Sequence, residues 1–146
     1  MTQLENETNG ARAEAQNVVA LTIPAKAEYV VLCRLALSGL ARLRPLDDDT
    51  LADLKLALTE ACSDSIRHAY TDDDGKVGIR YVLDEDRLVV EVIDQGPGFE
   101  PPPPTEATAE PDEGGLGIAI IRALVDELDV TSDERGSRLR LTKYLA

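Results

Sequence analysis

Residues 76–99 read KVGIRYVLDEDRLVVEVIDQGPGF, and this stretch contains two runs with a two-residue period. In the first run one face is apolar throughout and carries Val77, Ile79, Tyr81 and Leu83. In the second run one face carries Leu88, Val90, Val92 and Asp94. Because successive side chains of a strand point to opposite sides, the pattern predicts two strands, each with one buried face. The Asp94 carboxylate is therefore expected on the buried side.

Further elements are predicted on both sides of these strands. Before them, residues 18–23 suit a short strand, residues 25–44 show helical periodicity, and a capping cluster at 47–50 begins a second helix that runs to about residue 70. The core stripe of this second helix is predicted at Leu51, Leu54, Leu58, Ala61 and Ser65. After the two strands come a helix over about 115–128 and strands over about 129–132 and 138–142. We predict an α+β fold, a two-layer sandwich with three helices on one face of a mixed, mostly antiparallel sheet.

The first predicted helix has apolar residues at three- and four-residue intervals: Tyr29, Leu32, Cys33, Ala36 and Leu40. This spacing predicts a stripe that faces the core. Cys33 and Cys62 each lie within an apolar segment and lack a CxxC partner, so buried reduced thiols are expected in place of a disulfide or a zinc site.

Two segments lack any periodicity. Residues 1–16 are polar and acidic, which predicts a mobile N-terminal tail that precedes one domain at 17–146. Residues from about 99 to 113 contain a run of prolines, several acids and small residues, which predicts a long irregular loop. Loops of this length inside a compact domain are usually functional or disordered.

The overall composition excludes several classes of function. The chain has 146 residues, of which 43% are hydrophobic, and a formal net charge of −13. No apolar run reaches the roughly 20 residues of a membrane span, and the N-terminus lacks the features of a signal peptide. The strong negative charge opposes binding to nucleic acid or to anionic membranes. A cytoplasmic protein without direct contact to nucleic acid or membrane is expected.

Glu60 and Asp64 are one helical turn apart in the second predicted helix. Two like charges at this spacing repel, and a hard cation such as Mg²⁺ would neutralise them because it prefers carboxylate oxygens, waters and phosphates. Without a cation, the same pair is typical of a solvated acidic helix face.

Asp94 begins the sequence DQGPG, in which Gly96 and Gly98 allow close approach of the backbone to a flat ligand. A buried carboxylate needs hydrogen-bond donors, and an exocyclic adenine amine would supply one. The alternative is an aspartate that opens a turn.

A third cluster of glycines, Gly114, Gly115 and Gly117, opens the last predicted helix. The free N–H groups of a helix start can hold phosphate oxygens, although a flexible hinge would have the same composition. No Lys or Arg occurs between Arg87 and Arg122, so backbone dipoles and a metal ion would have to balance a triphosphate. Together the three clusters predict a site for a magnesium nucleotide.

Six stretches then occur in a recognisable order: IPAKAEYV at 23–30, RLALSG at 34–39, EAC at 60–62, HAY at 68–70, EGGLG at 113–117 and LTKYL at 141–145. With them the chain resembles the RsbW-type anti-sigma factor serine kinases from about residue 23 to 145. These kinases belong to the Bergerat-fold (GHKL) ATPases, which include histidine-kinase catalytic domains.

The resemblance implies ATP and Mg²⁺ as cofactors and a role for each matching residue. Glu60 matches the residue that orients or deprotonates the attacking group, and Asp64 stands where the family has a magnesium-binding asparagine. Aspartate keeps an oxygen ligand but loses the amide donor. Asp94 matches the residue that reads adenine. The other matching positions are Gly96 and Gly98 in its turn, Gly114, Gly115, Leu116 and Gly117 at the phosphates, and Ser137 near the adenine.

The resemblance also implies the shape of the site and its partners. The loop at about 99–113 would be the mobile ATP lid. The family sequesters an alternative sigma factor, phosphorylates a STAS-domain anti-anti-sigma factor, and so regulates transcription in stress responses. Arg34 lies in the helix region that the family uses for partner contact and dimerisation, so a homodimer is a further expectation.

Three functions are therefore compared. The leading hypothesis is an ATP-dependent protein-serine kinase and anti-sigma factor. The second is a partner-switch module that binds nucleotide without phosphoryl transfer, which the aspartate at position 64 suggests. The third is a detached histidine-kinase-type catalytic domain, which ranks last because the chain has no phospho-acceptor helix pair.

Overall fold

The computed structural model describes residues 17–69, 75–94, 111–133 and 136–145. The predicted tail at 1–16, most of the predicted lid, and Gly96 and Gly98 lie outside these residues. The strands are β1 (Asn17–Pro24), β2 (Lys76–Leu83), β3 (Arg87–Asp94), β4 (Glu127–Asp133) and β5 (Gly136–Tyr144). The helices are a short 3-10 helix (Ala27–Tyr29), α1 (Val30–Leu43), α2 (Asp48–Ala69) and α3 (Pro111–Leu124).

The five strands form one sheet in the order β1-β2-β3-β5-β4, and the three α-helices pack on it. This architecture confirms the predicted α+β sandwich. The expected parallel component is wrong for the described strands, because every neighbouring pair is antiparallel. Helix α3 does connect two strands of the same direction, β3 and β4, but β5 is inserted between them and pairs antiparallel with both.

The side chains of β2 and β3 alternate between the two faces of the sheet as predicted. The inner faces of both strands are buried, with Leu83 the most exposed of their apolar residues at 6%. Asp94 at the end of β3 is 3% exposed and shares the inner face. The register pairs Val77 directly with Asp94 across the two strands. The prediction of a buried carboxylate is confirmed.

Helix α1 is rotated relative to the predicted stripe. Its buried residues are Val30, Cys33, Leu37 and Leu40. Tyr29 and Leu32, which were expected in the core, are 36% and 44% exposed. The helix has apolar residues on more than one face, so the spacing alone could not identify the face that packs on α2.

The two cysteines are free and buried, as predicted. A hydrogen bond with Cys33 and burial raise the pKa of the Cys62 thiol. The Tyr81 hydroxyl donates to the Cys33 carbonyl over 2.7 Å, which links β2 to α1. Burial raises the pKa of the Tyr81 hydroxyl, so it stays a donor. These contacts hold α1, α2 and the sheet in one core.

Helix α2 begins at the predicted cap. The Thr50 N–H donates to an Asp47 carboxylate oxygen over 2.7 Å, which satisfies one of the free N–H groups of the first turn. This hydrogen bond lowers the pKa of Asp47. Asp48 and Asp49 add negative charge at the positive end of the helix dipole.

Helix α3 runs from Pro111 to Leu124, whereas the sequence predicted about 115–128. Proline suits the first helical turn because its missing N–H has no partner there in any case. Val125 and Leu128 continue the apolar period and pack against the core, but they do so from the turn after α3 and from β4. The apolar period therefore predicted correctly which residues pack against the core, but it placed the end of the helix too late in the sequence.

The outer face of the sheet carries a charged row. In register across four strands lie Arg80, Glu91, Arg140 and Asp129. Glu91 lies 3.5 Å from an Arg80 nitrogen and 3.8 Å from an Arg140 nitrogen. In the part of the chain that the structure describes, no helix has the length and apolarity of a membrane span.

Candidate functional site

Glu60 faces helix α3 at Gly117. A Cβ atom built on Gly117 would lie 3.7 Å from Glu60 Oε1, and Gly117 itself is buried. This is an ordinary van der Waals distance, so the carboxylate lies directly against the glycine-containing part of α3. The structure thus brings together the acidic motif of α2 and the glycine cluster, two pieces that lie more than fifty residues apart in the sequence.

Asp64 lies one turn further along α2 and is largely shielded, with a side chain 15% exposed. Its Oδ1 is 3.5 Å from a nitrogen of Arg67, whose side chain is 46% exposed. Arg67 was not predicted as a neighbour of the site, although its i,i+3 spacing from Asp64 indicates that the two side chains can meet on one face of a helix. A cation beside Asp64 offsets part of the repulsion between Glu60 and Asp64.

Asp94 is bordered by β5. Gly136 has a φ of 140°, and a Cβ there would collide with the Asp94 carbonyl oxygen. Glycine is thus required at this close approach of β5 to β3. Ser137 follows and is partly buried. The structure brings the predicted adenine-reading residues Asp94 and Ser137 to the same end of the sheet, through the pairing of Ile93 with Arg138.

The C-terminal end of α2 lies at this same end of the sheet. Six residues separate Ala69, where α2 ends, from Lys76, where β2 begins. The second residue of β2, Val77, is the cross-strand partner of Asp94. The chain therefore leads from the end of α2 to the end of the sheet at which Asp94 is located.

The glycine cluster has a different setting from the one predicted. Since α3 begins at Pro111, the three glycines lie within its first turns and do not precede the helix. With Pro111 as the first helical residue, Gly114 is the fourth, so its N–H and those of Gly115, Leu116 and Gly117 point back along the helix and are not among the free N–H groups that precede them. Leu116 is 64% exposed.

A magnesium ion fits the donors that α2 offers. Among the described side chains, no three His, Cys, Asp or Glu residues form a ready metal cluster. Mg²⁺ is usually held by one or two carboxylates together with waters and substrate phosphates. The shielded Asp64 carboxylate supplies one such oxygen.

Arg34 is on the exposed side of α1. Its neighbours Val31 and Leu35 are 51% and 60% exposed, so the arginine stands within an apolar surface. One further residue, Ser65, is 2% exposed and was interpreted from the sequence as part of the core stripe of α2. A hydroxyl at an otherwise apolar position was the feature of the sequence that could have indicated a polar role for Ser65.

Comparisons with known proteins agree with this geometry. Residues 23–143 match the model of the histidine kinase-like ATPase domain. The chain is 39% identical over 137 residues to the serine-protein kinase RsbW of Bacillus velezensis, covering 87% of this chain and 85% of that protein. It is 38% identical to the RsbW of Bacillus subtilis, with the same coverage.

Solved structures show the same fold. The RsbU and RsbW domains of a Mycobacterium tuberculosis protein match with a TM-score of 0.68 and 21% identity, over 88% of this chain and 32% of that one. The histidine kinase domain of a blue-light activated kinase from Erythrobacter litoralis matches with a TM-score of 0.55 and 24% identity, over 88% of this chain and 67% of that one. The chain therefore belongs to the histidine kinase-like ATPase domain family and, within it, to the RsbW-type serine-protein kinases.

Proposed function

We propose that this chain, a protein kinase by its family, transfers phosphate from MgATP to a serine of a STAS-domain anti-anti-sigma factor and sequesters an alternative sigma factor. The observation that carries the proposal is the position of Glu60, in the middle of α2, directly against Gly117 of α3. The protein would act in the cytoplasm, without contacting nucleic acid directly.

Adenine would be read at the end of the sheet. The Asp94 carboxylate would accept a hydrogen bond from the exocyclic amine, and the Ser137 hydroxyl lies on the neighbouring strand. A buried carboxylate is a strong acceptor because few waters compete with the ligand. Gly96 and Gly98 remain predicted parts of the turn next to the base.

The phosphates would bind at the backbone from Gly114 to Gly117. In the described helix none of these N–H groups is among the free ones of the helix start, so we expect the turn that begins at Pro111 to open when a nucleotide binds. Glycine costs roughly 1 kcal/mol relative to alanine in a helix, and three glycines make this turn easy to open. The freed N–H groups would then face the phosphate oxygens.

Asp64 would hold a magnesium ion that the phosphates and waters also bind. When bound, this ion neutralises negative charge on the phosphates. The Asp64 side chain is 15% exposed and lies 3.5 Å from an Arg67 nitrogen, so its carboxylate is shielded from most of the solvent.

Glu60 would accept the proton of the substrate serine hydroxyl or orient it. The serine oxygen then forms a bond to the γ-phosphorus, the bond between that phosphorus and the bridging oxygen breaks, and ADP leaves. Catalysis of this type depends mainly on positioning, which the contact between α2 and α3 would provide.

The exposed face of α1 would bind protein partners. Val31, Leu32 and Leu35 are all more than 40% exposed and flank Arg34. Apolar residues around an arginine are typical of interface centres. We assign to this face the contacts with the sigma factor, the STAS partner or a second copy of the chain.

Incubation of the protein with labelled MgATP and its cognate STAS partner tests the kinase proposal. We expect label on a partner serine, with loss of transfer in Glu60→Gln. Thr59→Ala is a matched control, because the Thr59 hydroxyl donates to the Lys55 carbonyl over 2.8 Å and takes no part in the site. Absence of transfer by the wild-type protein would overturn the proposal.

A second function is favoured by Asp64 itself, which stands at the family's asparagine position. It is a module that binds its partners and nucleotide without phosphoryl transfer. Asp64→Asn separates the two functions: if the substitution creates kinase activity that the wild-type chain lacks, the module is correct. Calorimetry with ATP, with and without Mg²⁺, reports in parallel whether nucleotide binding needs the metal.

A further inference from the structure

Ser65 carries a buried hydroxyl that the activity described above does not use. The residue is 2% exposed, and its Oγ has no hydrogen-bond partner among the described residues. Burying a hydroxyl without a partner destabilises a folded protein. A helix can usually avoid this cost, as Thr59 on the same helix does by donating to the Lys55 carbonyl.

Ser65 lies at the end of the stripe that α2 packs against the sheet. The stripe repeats at three- and four-residue intervals through Leu54, Leu58 and Ala61, which are 3%, 1% and 0% exposed. Ser65 continues this stripe by one more turn. Among the residues whose burial is described, the buried surface of α2 is therefore apolar along most of its length and becomes polar at Ser65.

This polar position borders the same region as Asp94. Ser65 is about one turn, roughly 6 Å along the axis, before the end of α2 at Ala69. That helix end is connected by six residues to β2, whose Val77 pairs with Asp94. One buried polar side chain thus comes from the helix layer and the other from the sheet layer, at one end of the core.

The two side chains match the edge of adenine in their hydrogen-bonding character. On that edge an exocyclic amine, a donor, is next to the ring nitrogen N1, an acceptor. An ionised carboxylate only accepts, and a hydroxyl can donate. Guanine reverses the order, since its oxygen accepts and its N1–H donates.

We propose that Ser65 determines base specificity by donating a hydrogen bond to N1 of adenine, directly or through one water, beside the amine that Asp94 accepts. The proposal rests on the nucleotide site proposed above. It assigns to the nucleotide the missing partner of the Ser65 hydroxyl.

The test compares ATP with 1-deaza-ATP, in which a C–H group replaces N1, by calorimetry on the full chain. We expect the wild-type protein to bind ATP roughly 5- to 10-fold more tightly than the analogue, which corresponds to one neutral hydrogen bond. In Ser65→Ala, ATP should bind more weakly by the same factor, and the preference over the analogue should fall below about 2-fold.

A second measurement separates binding from a structural role. Removal of a hydroxyl that has no partner should leave the melting temperature of the nucleotide-free protein unchanged or higher. A residue that merely stabilises the fold would lower it. Thr59→Ala is the matched control, and it should keep the full preference for ATP. Ser65→Gly repeats the binding comparison alone, because a glycine within α2 lowers the melting temperature in any case.

The outcomes are distinguishable. If the wild-type protein binds both compounds equally, or if Ser65→Ala keeps the full preference, the assignment of Ser65 is overturned while the nucleotide site stands. If the wild-type protein binds neither compound at millimolar concentration with Mg²⁺ present, the proposed function itself fails, and the assignment fails with it.

Discussion

Strand β3 carries two carboxylates three residues apart, and they have different environments. Glu91 is on the outer face, 13% exposed, between the guanidinium groups of Arg80 and Arg140. Asp94 is on the inner face, 3% exposed, beside Val77 and the close backbone of Gly136. The outer carboxylate has the surroundings of a structural ion pair, and the inner one lies where the helix layer meets the end of the sheet. Residues of opposite parity on one strand therefore have different roles: the outer carboxylate stabilises the sheet, and the inner one is placed where a ligand can bind.

The largest expected difference between the two sides of the sheet is in phosphoryl transfer. Glu60→Gln on the helix side should lower kcat by roughly 10²- to 10⁴-fold, since the amide cannot accept the serine proton. Glu91→Gln on the outer face should leave kcat within about 2-fold of wild type. Single-turnover transfer to the STAS partner measures both, and equal losses would contradict the division.

The second test concerns packing. Leu88 is 0% exposed on the inner face, and Leu88→Ala should lower the free energy of unfolding by about 2–5 kcal/mol because it leaves a cavity. Val18 lies on the outer side of β1 and is 46% exposed, so Val18→Ala should change it by less than about 0.5 kcal/mol. Urea denaturation measures both, and a small effect at Leu88 would mean that the inner face tolerates repacking.

The third test addresses the inner carboxylate directly. Asp94→Asn should weaken ATP binding by about 1.5–3 kcal/mol, or roughly 10- to 100-fold, because a neutral amide is a poorer acceptor for the adenine amine. Glu91→Gln serves as the control and should bind ATP normally. Unchanged affinity in Asp94→Asn would remove Asp94 from the nucleotide site.

The fourth test addresses the outer carboxylate. Both arginines that flank Glu91 are nearly half exposed, at 47% and 48% of their side chains, and solvent screens such pairs. Glu91→Gln should therefore lower the free energy of unfolding by about 0.5–1 kcal/mol, and less in 1 M salt. A loss that does not depend on salt would show that Glu91 acts through packing.

The smallest effect is expected at a third carboxylate, Asp47, which is exposed and caps α2. Its pKa is lowered in the folded protein by the hydrogen bond from the Thr50 N–H, so the cap stabilises above the unfolded-state pKa and is lost as the pH falls through the folded value. Asp47→Ala should be less stable than wild type at pH 7, and the difference should shrink as the pH falls below the unfolded-state pKa of about 3.9. A difference that is constant with pH would contradict a charged cap.

The sequence was sufficient for the elements whose two sides differ in polarity. In β2 and β3 the period of two separates apolar from polar side chains, so faces, register parity and the burial of Asp94 could all be predicted. In α1 it was not sufficient, because Val31, Leu32 and Leu35 are as apolar as the residues in the core. Local spacing cannot identify which apolar face will meet a neighbouring helix.

The site shows the same limit. The motifs predicted Glu60, Asp64 and Asp94, but the contacts of Glu60 with Gly117 and of Asp94 with Gly136 join elements that are far apart in the sequence. The start of α3 was predicted four residues late because a glycine cluster is typical of a helix terminus. In the structure the helix already begins at Pro111, a residue that suits the first turn. Ser65 was assigned to the core because it continues the stripe of α2, and the sequence does not show that its hydroxyl has no partner among the described residues.

The left-handed backbone of Gly136 also constrains anyone who would redesign this domain. The hairpin between β4 and β5 looks like a convenient place to graft a peptide, because β4 is an edge strand of the sheet. Any residue with a side chain at 136 would force β5 away from the carbonyl of Asp94 and disturb the proposed base pocket. Insertions must therefore stay on the β4 side of this glycine.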